Sequence, residues 1–185
     1  MLSYDLERAK QPVLANPVAV ARLEHAQLAL SSEVQGLREL MTSLRPPTLD
    51  EVGLEAALRD QVGAFTRHSG VECSVRVSLA GRLDSELETI VYRVTQEALL
   101  NVTRHAQATR LWLELEGVGD RVQLCIRDDG VGLDTRNGPD LVRKGHFGLV
   151  AMRERVELAG GRFQLKSRPG AGAVVRATFT IPSAA

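Results

Sequence analysis

Cysteine is close to absent from this chain: there are two, Cys73 and Cys125, in 185 residues. Each sits inside a strand-like segment, VECSVRV or RVQLCIRD, with no second Cys or His at metal-ligand spacing. That excludes a disulfide scaffold and a thiolate metal site, makes buried free thiols the expectation, and fits a reducing compartment. Net charge is absent too, with 23 Lys plus Arg against 23 Asp plus Glu. Neither a nucleic-acid footprint nor a polybasic membrane anchor is expected, so any recognition of phosphate has to come from local charge. No apolar run approaches the roughly 20 residues that span a bilayer. The amino terminus MLSYDLERAK lacks a signal pattern, so this segment is expected to be cytoplasmic and to make no membrane contact.

What is present, 44% apolar content over 185 residues, is enough for one core and an appendage. Asn16-Pro17 reads as a helix start, and Val20, Leu23, Leu30, Val34, Leu37, Met41 and Leu44 then form a seam at alternating spacings of three and four. Such a seam requires a partner helix, and Arg45-Pro46-Pro47 ends it and implies a linker. The expected division is 1–47, a helical extension whose seam wants a partner, and 48–185, a globular domain. In the latter, Leu54, Leu58, Val62 and Phe65 predict a helix from Val52 to His68 with Gly70 as its stop. Val71, Cys73, Val75 and Val77 alternate as a strand. A long helix from Leu83 to Ala106, capped by Asp84 or Ser85, follows. Arg110–Gly117 and Asp120–Arg127 read as a hairpin through Gly119-Asp120, residues 133–147 as loop, Gly148–Ala159 as a helix, and 162–167 with 173–181 as a terminal hairpin. Met152, Val156 and Leu158 are expected in the core.

Three islands carry chemistry: QEALLNVTRHA, RDDGVGLD and GHFGLVAMRERVELAGG. In the first, Glu97, Asn101 and His105 stand at i, i+4 and i+8, on the side that also carries Leu87, Val94 and Ala98. A buried amide without a partner costs about 1–3 kcal/mol, so Asn101 on an apolar stripe should face a satisfying network or a ligand. In the second, Asp128 ends a strand and is followed by Asp-Gly-Val-Gly, which forces a sharp turn and a close backbone approach. In the third, glycines precede a helix whose free amides favour phosphate oxygens.

At these residues the chain resembles the GHKL ATPase superfamily, and more narrowly the catalytic core of two-component sensor histidine kinases of the nitrate-sensor and lipid-thermosensor type, over about residues 17 to 182. Glu97 to Ala106 looks like the family's N box, Asp128 to Gly132 like its first glycine box and Gly145 to Leu149 like its second. LRPPTLDEVGLEAAL, residues 44 to 58, is similar to the junction between dimerisation helices and ATP-binding domain. The resemblance implies an α+β fold, a two-layer α/β sandwich of the Bergerat type, with an N-terminal coiled-coil-like dimerisation helix. It implies ATP and Mg²⁺ as cofactors. Asp128 is then expected to accept a hydrogen bond from the adenine amino group, with Gly130 and Gly132 keeping side chains away from the base. Asn101 is expected to hold Mg²⁺, and Glu97 to polarise the attacking group or order a metal-bound water. Arg104 and His105 should point towards phosphate, while Lys144, Gly145, Phe147, Gly148 and Leu149 form a second phosphate grip. The loop between the glycine boxes looks like an ATP lid.

The same resemblance implies transfer of the γ-phosphoryl group to a histidine on a dimerisation helix, a response-regulator receiver domain as partner, and a homodimer in a parent protein that is membrane-anchored in some relatives. Two departures stand out. The family's Gly-Thr on the last strand reads Gly172-Ala173 here, so the hydroxyl that steadies the adenine-binding aspartate is missing, with Thr178 or a water as substitutes. No Glu-Leu-His-Asp-like acceptor pattern occurs, and the surroundings of His25 do not reproduce it. Three plainer readings stay open at this stage: Asp128 as an ordinary Asp-Gly turn, Glu97 as an exposed helix acid, and His105 as a core histidine. Two other functions remain as well, a GHKL ATPase or anti-sigma serine kinase, and a degenerate nucleotide-binding or dimerisation module.

Overall fold

A computed structural model describes residues 45–133 and 147–181. The expected heptad helix, Lys144, Gly145 and most of the expected lid loop lie outside the described residues. Pro47 opens a short helix α1 (Pro47–Glu51), for which its fixed φ is preorganised, and Leu49 anchors it at 0% exposure. The sequence reading had no helix here. Gly53, at φ 77°, separates α1 from α2 (Gly53–Ser69), which ends on Gly70 in the left-handed conformation, as expected. Leu54, Leu58, Val62 and Phe65 are all buried on one side of α2.

Strand β1 (Glu72–Ser78) leads into α3 (Ser85–Asn101), with Asp84 as N-cap accepting from the Leu87 amide at 2.8 Å. The predicted helix from Leu83 to Ala106 is in fact two pieces, because Val102–Ala106 widens into a π-helical turn. Then come β2 (Arg110–Val118), β3 (Arg121–Asp128), α4 (Phe147–Leu158), β4 (Arg162–Ser167) and β5 (Ala173–Thr180). The five strands form one sheet in the order β1-β2-β3-β5-β4; β1 is parallel to β2 and the other pairs are antiparallel.

Strand alternation decides which side of the sheet faces the helices. Leu111, Leu113 and Leu115 of β2, Val122, Leu124 and Ile126 of β3, and Val175, Ala177 and Phe179 of β5 are buried, while their neighbours point outward. Helices α2, α3 and α4 cover the buried side, giving the two-layer α/β sandwich that the motifs implied.

Two core expectations are corrected. Met152 and Val156 are fully buried, but Leu158 is 88% exposed. It stands two residues beyond Val156, on the opposite side of α4, and no following turn covers it. The two thiols are free but half-buried, not buried, since each lies on a sheet position open at one side. Burial still pushes the Cys73 thiol above its ordinary pKa, against a smaller opposing hydrogen bond with Thr66.

Candidate functional site

The site is built where α3 passes into its π turn and faces the end of β3. A π turn carries one residue too many per turn, which displaces the side chains beyond Asn101 and leaves Gln107 in the left-handed region at φ 49°. The carbonyl of Ala106, at the end of this turn, accepts the Val131 amide at 2.7 Å, pinning the glycine-rich turn to the helix. A cavity of about 160 Å³ opens between them, lined by Asn101, His105, Asp128, Gly132, Leu149 and Ala173 among polar and turn residues. Its apolar walls are Ala98, Val102, Ile126, Leu133, Leu165 and Val175.

Asp128 lies at this cavity, 7% exposed. Burial raises its pKa above the ordinary carboxylate value, and the amides of Gly130 and Ala173 offset part of the rise. The Gly130 amide donates to Oδ1 at 2.9 Å. Two backbone amides, those of Gly130 and Ala173, thus hold Asp128, with no side-chain hydroxyl at position 173. Thr178 does not substitute, because it stands on the outward side of β5 opposite Gln123 and Arg162. Asp129 turns the other way: its carboxylate accepts from the Thr109 amide at 2.8 Å, the Arg110 amide at 2.9 Å and the Thr109 hydroxyl at 2.7 Å. The Arg110 and Thr109 hydrogen bonds hold it below the usual range. Asp128 is thus kept for the cavity while Asp129 fastens the turn.

The glycines make the close backbone approach that the turn implied. A Cβ on Gly130 would overlap the carbonyl of Ala106, one on Gly132 that of Arg168, and one on Gly172 that of Asp128. Three backbone segments approach too closely for side chains, and Gly132 and Gly172 also have φ of 65° and 68°. The approach is sealed by Gly172 N to Gly130 O at 2.8 Å and Gly170 N to Val131 O at 2.7 Å. Ser167, a residue the motifs did not single out, closes the clasp: its hydroxyl donates to Gly172 O at 2.6 Å and accepts from the Leu133 amide at 2.8 Å. Leu165, Val175 and Ile126 were missed as well, although they stand in one register row across β4, β5 and β3 on the buried side.

Asn101 stands in the cavity wall. Its Nδ2 is buried and has no hydrogen-bond partner in a cavity wall. His105 lines the same cavity but is exposed, so it is not a core histidine. Arg104 is exposed on the π turn and does not line the cavity. Glu97 is half-buried rather than solvated. Its carboxylate lies against Gly148 at the start of α4, in the space a Cβ there would take. Leu149 is 8% exposed and closes the cavity beside Asp128, while Phe147 opens α4.

Among the described residues no group of three His, Cys, Asp or Glu converges to hold a metal. The donor set nevertheless fits a hard cation of low protein coordination. Asn101 contributes a carboxamide to the cavity wall, whose oxygen is a hard donor, and Mg²⁺ takes few protein ligands when phosphates supply the rest.

A narrow apolar slot with a single buried carboxylate, beside an unsatisfied amide and a helix start, matches a known ATPase class in sequence as well. Residues 86–184 fit the family model described as histidine kinase-, DNA gyrase B- and HSP90-like ATPase. The chain belongs to this ATPase family. It is 34% identical over 154 residues to the oxygen sensor histidine kinase NreB of Staphylococcus carnosus, an alignment that covers 83% of this chain but only 43% of that protein. Among solved structures, the histidine kinase AdeS of Acinetobacter baumannii aligns over 97% of this chain and 95% of its own, with TM-score 0.61 and 17% identity. The histidine kinase domain of the Erythrobacter litoralis EL346 blue-light activated kinase aligns over 69% of this chain and 61% of its own, with TM-score 0.55 and 21% identity. At those identities the two structures speak for the fold alone. Among the described residues no helix is long and apolar enough to cross a membrane.

Proposed function

We propose that this chain is the Mg-ATP-binding catalytic portion of a sensor histidine kinase, which passes the γ-phosphoryl group to a histidine on a dimerisation helix for relay to a response-regulator receiver domain. The observation that carries the reading is the pairing, in one cavity, of the buried Asp128 carboxylate with the unpartnered Asn101 amide. The first suits the exocyclic amine of a purine, and the second suits the metal-bound phosphates. Similarity to NreB supports the kinase assignment over other members of the ATPase family.

In this reading the chain's residues act chiefly by placement, which suits phosphoryl transfer, where catalysis is mostly positioning and charge neutralisation. Asp128 orients the base by accepting its amino proton, and Leu165, Val175 and Ile126 hold the ring plane and exclude water. Asn101 would hold Mg²⁺, which would supply charge neutralisation at the phosphates. Glu97 accepts the proton of the attacking group. His105 and Arg104 lie on the exposed side of the π turn, where phosphates leaving the cavity would meet them. Lys144, Gly145, Phe147 and Gly148 complete the phosphate grip. The acceptor histidine, the receiver domain and a homodimer belong to the longer kinase.

Titration calorimetry of the chain with ADP or ATP in the presence of Mg²⁺ tests the site. The wild type binds one nucleotide, Asp128→Asn loses base recognition, and Asn101→Ala loses the Mg²⁺ dependence. Incubation with γ-labelled ATP and a separately supplied dimerisation segment tests the reaction. Acid-labile label on that segment supports the kinase, whereas steady release of inorganic phosphate without labelling supports an ATPase instead.

A further inference from the structure

We propose that Arg45, Glu88 and Arg82 form a positioning latch that couples the segment through which the chain enters this domain to the helix that carries the nucleotide site. The coupling rests on the nucleotide reading above, but the latch itself is a separate structure at the other end of α3. Glu88 is 2% exposed, on the first turns of a helix whose other early acid, Glu86, is exposed. Arg45 Nη2 donates to Glu88 Oε2 at 2.6 Å and Arg82 Nε donates to Oε1 at 3.1 Å, so both carboxylate oxygens are engaged from two different segments. The same Arg45 guanidinium donates to the Ser85 carbonyl, to Thr89 Oγ1 at 3.2 Å and, through Nε, to Asp50 Oδ1 at 2.7 Å. One side chain thereby ties α1 to three residues of α3, using a planar fork that Lys does not have.

The segment it ties is a short arm at the edge of the domain. Gly53 at φ 77°, with open space where a Cβ would stand, separates α1 from α2. Beside it a groove of about 560 Å³, lined by Val52, Gly53, Leu54, Leu79, Arg82 and Glu88, borders the arm. The Arg45 network joins the buried Pro46 and Leu49 in holding the arm to the domain. On the other side of the latch, α3 is a continuous 17-residue helix, and Asn101 stands ~20 Å along it from Glu88. A displacement of the arm that Arg45 transmits to Glu88 therefore reaches Glu97 and Asn101 on one rigid body, and nucleotide held by those residues reports back to the arm by linkage.

Hydrogen exchange of the full chain, with and without Mg²⁺ and a non-hydrolysable ATP analogue, tests this. The reporters are the Leu49 and Val52 amides, bonded within the arm to Pro46 and Thr48 carbonyls. In the wild type, nucleotide changes their exchange by a factor typical of coupled sites, about fivefold or more. In Arg45→Gln the arm exchanges quickly, nucleotide no longer alters it, and nucleotide affinity shifts by the same factor, because coupling is reciprocal. Arg45→Lys keeps the buried charge paired and retains part of the effect, which serves if Arg45→Gln does not fold. Protection of 97–106 by nucleotide with no change at Leu49 and Val52 in the wild type overturns the latch alone, as does an unchanged effect in Arg45→Gln. No protection at either place overturns the latch and the nucleotide reading together.

Discussion

The two ends of α3 treat buried polarity in opposite ways. At the first turns, Glu88 is sealed from water with both oxygens taken by arginines. At the last turn, Asn101 has its amide nitrogen buried with no partner, and the helix there loosens into a π turn. A polar group that is sealed and satisfied holds the fold together, and removing it exposes the penalty of the partners left behind. A polar group that is sealed and unsatisfied costs the empty protein stability and is retained for what it binds. The largest test of that contrast is Glu88→Ala. Breaking one partner of a buried ion pair costs about 3–5 kcal/mol, and the 22% and 66% exposure of Arg45 and Arg82 places the expected loss near the lower end, ~3 kcal/mol. Urea denaturation with an unchanged m-value measures it; a loss below 1 kcal/mol would remove the structural half of the comparison.

Asn101→Leu is the matching experiment at the other end. Replacing an unsatisfied buried amide by an apolar group of similar shape is neutral or stabilising, so the empty domain should keep its unfolding free energy or gain up to about 1 kcal/mol, while Mg-nucleotide binding is lost. Equal destabilisation by Glu88→Ala and Asn101→Leu would erase the distinction between the two ends. Between these lies Asp128→Asn, whose effect belongs to the ligand. A hydrogen bond to a charged acceptor contributes about 1.5–3 kcal/mol, and calorimetry should find nucleotide affinity weakened by that amount with the fold intact.

How much of this was legible in the sequence follows from the range of the forces involved. The helical spacing of Glu97 and Asn101, the Asp84 cap and the Gly70 stop are local regularities, and each appears in the structure, whereas His105 falls beyond the end of the regular helix. The π turn was hidden, because nothing in VTRHA breaks a helical pattern; the turn ends at Ala106, whose carbonyl takes the Val131 amide from a distant segment. The glycines of RDDGVGLD were legible as a close approach, but what approaches is backbone from Ala106, Arg168 and Asp128, brought together by strand order that no single segment encodes. Ser167 and the Ala173 amide were illegible for the same reason. Leu158 was read as core from its neighbours' spacing, and the end of α4 at that residue leaves it uncovered.

The neighbouring aspartates give the smallest and sharpest contrast, since adjacent carboxylates face opposite environments. Asp129 has its pKa depressed by hydrogen bonds from Arg110 and Thr109, so it contributes stability that is present above its unfolded value of 3.8 and lost as pH falls through its folded value. Asp128 has its pKa raised by burial, so its ionisation opposes folding, and that cost is absent below 3.8, grows as pH rises from 3.8 to its raised value, and is constant above it. Asp129→Asn should therefore lower thermal stability at pH 7 by the modest amount expected of exposed hydrogen bonds, about 1 kcal/mol, with the difference from wild type vanishing at acid pH. Asp128→Asn should show the opposite trend, its stability relative to wild type improving as pH rises from 3.8. Melting curves of the two variants across pH 3 to 8 measure both slopes, and slopes of the same sign would mean that the turn does not separate a fastening carboxylate from a binding one.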